Sequence, residues 1–252
     1  MTPAARIAPT FTRAVLALAL AAGLAGCAQA PQVSGINDPY EAQNRRAHDF
    51  NKGLDRIILR PTSNAYGTIV PGPVRDGVGN FATNLNQPGT FLNHVLQGDV
   101  EMAGHTFFRF AINTTLGIGG LFDPATSIGF PEKKTDFGQT LHAWGVAEGA
   151  YLEVPFVGPT TERDFTGQVF DVLMNPTMLA VKGDQAAGAT GARIASRFGD
   201  RYRYSDFVDS VLYESADSYA QARLLYLQNR RFELGQQDES DVYDPYEDPN
   251  IQ

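Results

Sequence analysis

Four histidines, His48, His94, His105 and His142, are the side chains of this 252-residue chain that could move protons near neutral pH. None belongs to an HExxH pair or lies four residues from another, so no zinc site follows from their spacing. There is no G-x-S-x-G nucleophile elbow. With one Cys, an intramolecular disulfide and a multi-Cys metal cluster are excluded. Glu132 and Asp136 suit helix caps and a solvated surface better than an acid/base dyad. Gly117-Ile118-Gly119-Gly120 could offer backbone N–H groups to a phosphate, but it follows an expected helix and no Lys-Ser/Thr pair comes after it. Positive-φ backbone and close helix packing are the simpler use of those glycines. No catalytic residue, metal ligand or cofactor is expected. A lipid or peptidoglycan hydrolase would need one of the four His brought beside a distant Ser or Asp.

Cys27 is the one residue whose setting points to a defined reaction. Residues 1–26 carry Arg6 and Arg13 and no acid, and from Ala14 to Leu24 the chain holds only Ala, Val, Leu and Gly. A basic start followed by an apolar stretch too short to span a bilayer is a secretory signal. It ends in Leu24-Ala25-Gly26-Cys27, which resembles the lipobox of bacterial lipoproteins, where cleavage leaves an acylated N-terminal Cys. The alternative is an ordinary signal cut near Ala28-Gln29-Ala30. Several acyl chains would anchor stably, at about 0.8 kcal/mol per buried CH₂, whereas a single chain is marginal. Ala28 stands where an Asp would retain lipoproteins of enteric-type bacteria in the inner membrane, so the outer membrane is expected.

The whole chain has net charge −8; without Arg6 and Arg13, the chain from Cys27 on has 18 basic and 28 acidic residues, net −10. That argues against a nucleic-acid partner and against adhesion to anionic lipid through a basic face.

The elements that would carry these residues are helices. Gly and Pro total 40 residues, about 16% against an ordinary share of about 12%, so many short elements are expected. Residues 27–36 read as a tether. Asp38-Pro39-Tyr40-Glu41 predicts a capping box opening a helix with Phe50, Leu54, Ile57 and Ile58 on one face, ended by Arg60-Pro61. Val74, Val78, Phe81 and Leu85 predict a second helix, and Pro88 should open a third carrying Phe91, Leu92, Val95 and Leu96. A fourth, capped by Asp99 and running to about Thr115, is apolar nearly all round and therefore buried or lipid-facing. Asp136 should cap a helix to Trp144, Tyr151–Phe156 alternates like a strand or arm, and Glu162–Leu173, 186–199 and 205–234 read as helices. The last 17 residues, from Gln236, hold six acids and no base, the composition of a disordered acidic tail. After Cys27 no apolar run is long enough for a transmembrane helix. The fold class is all-α with minor extended structure. Sixteen Phe, ten Tyr and the single Trp144 exceed what one core obviously needs, and the surplus suits a membrane interface.

Several blocks, in order, resemble one family, the VacJ/MlaA lipoproteins of the outer-membrane lipid-asymmetry system. The first is Asn37-Asp38-Pro39-Tyr40-Glu41 with Asn44-Arg45 and Phe50-Asn51, followed by Asn80-Phe81, Asn84-Leu85, Pro88, Asn93 and Leu96-Gln97-Gly98-Asp99. Then come Arg109-Phe110, Asn113-Thr114, Gly117-Ile118-Gly119-Gly120-Leu121-Phe122-Asp123, Asp136–Leu141, Trp144-Gly145-Val146, Tyr151-Leu152, Pro155, Gly158-Pro159 and Arg163-Asp164. Some members carry an aromatic where this chain has His48, and Ala147-Glu148-Gly149-Ala150 lacks the family's Gly-Pro step. The resemblance implies a ring of amphipathic helices over residues 37–235, monotopic in the inner leaflet of the outer membrane, with an amphipathic channel. Mislocalised phospholipid of the outer leaflet would pass through it to a soluble periplasmic lipid carrier, and a trimeric porin would be a partner. A porin-associated structural lipoprotein that moves no lipid is the alternative.

Overall fold

The computed structural model describes residues 36–180 and 182–236; Cys27, the expected signal and the tether before Ile36, and the expected tail from residue 237 on, lie outside the described residues. In chain order the elements are α1 (Glu41–Leu54), a π-helical turn (Asp55–Leu59), α2 (Arg60–Ile69), α3 (Gly72–Leu96), α4 (Val100–Thr115) and α5 (Pro124–Ser127). They continue with α6 (Phe137–Ala143), β1 (Tyr151–Val154), β2 (Gly158–Thr161), α7 (Glu162–Met174), α8 (Pro176–Ala180) and α9 (Asp184–Arg203). The last are α10 (Ser205–Asp209), a second π turn (Ser210–Glu214) and α11 (Ser218–Glu233). β1 and β2 pair antiparallel, Tyr151 opposite Thr161, so the expected extended arm is half of a hairpin.

Side-chain caps set several helix starts as expected: Asp99 accepts from Met102 N at 2.9 Å, and Asp136 from Gln139 N at 2.8 Å. The expected capping box at Asp38 is not formed. Helix α1 starts at Glu41 without a side-chain cap, because the Asp38 carboxylate accepts instead from Asn44, Tyr219 and Arg223. Pro61 does not end the first helix either. The Arg60 N–H donates to the Asp55 carbonyl, an i→i+5 register whose wider turn relieves the clash a proline ring makes in an α-helix. Pro88 likewise lies inside α3 instead of opening a new helix; in the turn before it, the Thr177 hydroxyl donates to the Leu85 carbonyl at 2.5 Å. The expected helix at 205–234 is broken by the second π turn and an extended Ser215–Asp217.

Neighbouring elements close a circuit. Helix α3 packs on α9, α9 on α2, the first π turn joins α2 to α1, α1 packs on β1, β2 on α7, α7 on α6, and α6 back on α3. This is the ring-like arrangement the family resemblance implies. Two glycines let α6 and α7 approach: a Cβ on Gly167 would lie 2.3 Å from the Gly138 backbone nitrogen.

The ring is inverted relative to a protein folded in water. Among the described residues eighteen polar or charged residues are buried but only eight apolar ones, of which five are Ala. Thirty-two large apolar side chains are exposed. Helix α4 shows the pattern: Thr106, Arg109 and Asn113 are buried, while Phe107 and Phe108 are exposed. Phe91, Phe107, Phe108 and Phe130 form a ladder of rings about this outer face, with successive centroids 6.3, 5.7 and 6.1 Å apart. No helix among the described residues is long and apolar enough to cross a membrane.

Candidate functional site

The buried polar residues form three knots. In the first, Asn44, His48 and Asn51 share one face of α1 and hold the β-hairpin. Asn44 Nδ2 donates to the Tyr151 carbonyl at 3.0 Å, and its Oδ1 accepts from Glu153 N at 2.9 Å. Asn51 Nδ2 donates to Glu153 Oε1 at 3.0 Å and its Oδ1 accepts from Phe156 N at 2.9 Å. Asn37 joins through Gly149, and Pro39 lies in the turn before α1. Arg45 spans Glu41 and Asp217, the latter through two bonds of 3.0 and 2.9 Å, with its guanidinium over the Tyr219 ring. The expected residues Asn37, Asp38, Glu41, Asn44 and Arg45 thus meet where α1, the β-hairpin and α11 come together.

The second knot supports the glycine turn. Arg109 donates to Asp123 at 2.8 Å, to Thr126 at 2.9 Å and to the Phe130 carbonyl at 2.7 Å, and Asn113 donates to Asp123 at 3.0 Å. Burial alone would raise the Asp123 pKa, but the hydrogen bonds from Arg109, Thr126 and Asn113 bring it down to about 2. A Cβ on Gly117 would meet the Phe122 and Asn113 carbonyls, and Gly119 and Gly120 have φ of +70° and +95°. Gly117, Gly119, Gly120 and Asp123 therefore act as one unit, which turns Leu116, Ile118, Leu121 and Phe122 outward. Gly120→Ala should cost about 2–3 kcal/mol in denaturant unfolding, since backbone strain is joined by a Cβ placed 2.4 Å from Asn84. Gly119→Ala carries the strain without the clash and should lose less; equal losses would refute this account.

The third knot joins α6, α7 and α11. Arg230 donates to Asp136 at 2.7 and 2.8 Å and to Asp164 at 3.0 Å. Asn93 donates to Asp171, and Thr140 donates to Asn93 Oδ1 at 3.0 Å. Trp144 stands at its edge, half exposed, its indole N–H donating to the Leu96 carbonyl at 3.0 Å.

Between α3, the Glu132–Lys134 segment and the end of α9 lies a cavity of about 510 Å³. Arg75, Lys134 and Arg203 line it together with Asp76, Glu132 and Asp200, so both signs of charge are present. Arg203 and Asp76 pair across it at 2.6 Å, but both are mostly exposed, and such a pair is worth little and opens readily. One wall is fixed: the Tyr202 ring fills the space a Cβ on Gly67 would take, and Arg75 donates to the Gly67 carbonyl at 2.5 Å while lying over that ring.

Residues 36–233 fit the family described as MlaA lipoprotein. This chain belongs to that family.

The Escherichia coli K12 relative, named intermembrane phospholipid transport system lipoprotein MlaA, is 34% identical over 237 residues, covering 91% of this chain and 90% of that protein. The Haemophilus influenzae protein of the same name is also 34% identical, over 233 residues, covering 88% and 91% of the two chains. An uncharacterized Rickettsia felis protein is 40% identical over 189 residues, covering 75% and 74%. A solved structure described as the structural basis for maintenance of bacterial outer membrane lipid asymmetry superposes with a TM-score of 0.68 at 35% identity, over 78% of this chain and 98% of that one.

Within this MlaA-family fold one constellation has the order of a hydrolytic triad. Ser218 Oγ lies 3.0 Å from His48 Nε2, and His48 Nδ1 lies 3.7 Å from Glu153 Oε1. No local spacing signals it, since Ser218 and His48 are 170 residues apart. Its neighbours engage the groups that acyl transfer would use. The Ser218 hydroxyl is also bound by Lys52 Nζ at 3.2 Å, and the Ala220 N–H at this helix start already donates to Asp217, so it is not free for an oxyanion. His48 and Glu153 are both buried, Glu153 within β1 of the hairpin. Their geometry pins α1 to α11 and β1.

Proposed function

We propose that this chain is an outer-membrane lipoprotein, acylated at Cys27 and seated in the periplasmic leaflet, that removes phospholipid from the outer leaflet and passes it to a soluble periplasmic carrier, beside a trimeric porin. The names of the E. coli and H. influenzae relatives support the phospholipid as cargo. The observation that carries the reading is the inverted ring. Its exterior suits hydrocarbon, while its charged cavity offers a wet path to a head group that is costly to bring into a bilayer centre. Residues 27–36 serve as the tether.

Deleting the gene should raise outer-leaflet phospholipid, scored by a surface-restricted phospholipase, and the wild-type gene should reverse the rise. If deletion leaves the outer leaflet unchanged, the transport reading fails and the porin-scaffold reading replaces it. Ser218→Ala should restore asymmetry as well as the wild type does. A folded Ser218→Ala protein that fails to complement would instead assign chemistry to the Ser218–His48–Glu153 set.

A further inference from the structure

The two π turns face each other around one tyrosine. Tyr213, in the second, donates its hydroxyl to Asp55, the first residue of the other, at 2.8 Å. Three cations spaced four residues apart surround its ring: Lys52 Nζ at 5.8 Å, Arg56 Cζ at 5.3 Å and Arg60 Cζ at 5.1 Å from the centroid. In a regular α-helix, side chains four apart drift round the axis by about 40° at each step. The i→i+5 turn between Lys52 and Arg60 takes that drift back, so all three meet the same ring.

The charge here does not balance. Asp209 pairs with Arg60 at 2.6 Å, and Asp55 and Asp209 both pair with Arg201, at 2.8 and 2.6 Å. Two carboxylates thus neutralise two arginines. Lys52 and Arg56 have no carboxylate within 4.0 Å among the described residues, and Lys52 donates only to the Ser218 hydroxyl. In a chain of net −8 this is a local positive excess. It adjoins apolar surface: Ile57 and Ile58, the residues after Arg56, are 75% and 50% exposed, and Leu59 follows them outward. A cation held beside exposed aliphatic side chains is the arrangement found where a protein meets both lipid tails and head groups.

We propose that Lys52 and Arg56, gathered on the Tyr213 ring, bind the phosphate of a membrane phospholipid whose chains lie against Ile57 and Ile58. The site lies apart from the cavity between α3 and α9 and shares no residue with it. It rests on the reading that the apolar exterior sits in a leaflet, and it would fix the rotation of the ring in that leaflet by holding one boundary lipid.

The test uses the full chain purified in a nonionic detergent, with native mass spectrometry counting bound lipid. The probes are phosphatidylglycerol, diacylglycerol with the same chains, and inorganic phosphate. Phosphatidylglycerol should bind the Lys52→Gln/Arg56→Gln variant roughly tenfold more weakly than the wild type. Diacylglycerol should bind both equally, and Arg56→Lys should keep the wild-type affinity. Matched melting curves establish that the variant is folded. Equal phosphatidylglycerol binding by wild type and variant would overturn the site alone. Inorganic phosphate binding as tightly as the lipid would overturn the lipid assignment. A wild type that takes up neither lipid would overturn the leaflet reading and the site together.

Discussion

Arg230→Ala should destabilise the folded chain by about 3–5 kcal/mol at neutral pH, because it leaves a buried carboxylate without its main partner. For a domain of this size that is a fall of roughly ten degrees in Tm. The guanidinium is buried and joins three elements: the Asp136 cap of α6, Asp164 in the first turn of α7, and α11 itself. There is no slack for rearrangement, since a Cβ on Gly138 would already lie 2.7 Å from both Arg230 and Asp164. Asp164 is buried, and burial by itself would raise its pKa. Hydrogen bonding and charge from Arg230, with Arg163 and Tyr226, hold it below the ordinary carboxylate value.

The sign of the pH dependence follows. A carboxyl held low in the folded state contributes stability above its unfolded pKa of about 3.9, and that stability is lost as pH falls through the lower folded value. In Arg230→Ala, Asp164 keeps Arg163 and Tyr226 but loses its main partner, and it escapes part of the penalty by taking up a proton. The stability gap between wild type and variant should therefore be widest at neutral pH and narrow in acid. Arg230→Met with Asp164→Asn should cost less than Arg230→Met alone, since the uncompensated charge leaves with its partner. A gap independent of pH, or a loss under about 1 kcal/mol, would mean the knot is not what joins these elements.

That such a knot exists could not be read from the chain. Its members, Asp136, Asp164 and Arg230, lie in three separate helices, and periodicity reports which residues share a helix face but not which solvent the face meets. Phe50, Ile57 and Ile58 keep helical spacing, yet all three point outward. The rule that an apolar stripe marks the core holds for proteins surrounded by water; here it marks the outside. Local signals fared well where a residue acts on its own backbone, as with the Asp99 and Asp136 caps. They failed where a distant partner intervened. Asp38 is drawn from its capping role by Tyr219 and Arg223, and the Pro88 turn is supplied with a donor by Thr177, 92 residues from Leu85. The family blocks were informative because several of their polar members, Asn44, Asn93, Arg109, Asn113, Thr140 and Asp164 among them, are buried in the three knots. The His48–Ser218–Glu153 contact and the cations on Tyr213 had no local signature at all.

Cys27→Ala should leave outer-leaflet phospholipid as high as in cells lacking the gene, even though the ring it is proposed to anchor is itself apolar outside. Exposed hydrocarbon surface favours any membrane, inner or outer, and cannot select between them. Selection must come from an address read before the ring reaches its membrane, and Leu24-Ala25-Gly26-Cys27-Ala28 is the segment with that character. The unacylated protein should therefore be found in the wrong fraction or aggregated through its exterior, not dissolved in the periplasm. Ala28→Asp separates anchor from address: the acyl chains remain, but the protein should be kept in the inner membrane and fail to restore asymmetry. Membrane fractionation and the surface-restricted phospholipase read both variants. If Cys27→Ala restores asymmetry in full, the exterior suffices for correct placement and the anchor is dispensable. If Ala28→Asp does so from the inner membrane, residence in the outer leaflet's own bilayer is not required, and the path through the ring cannot be the route by which phospholipid leaves it.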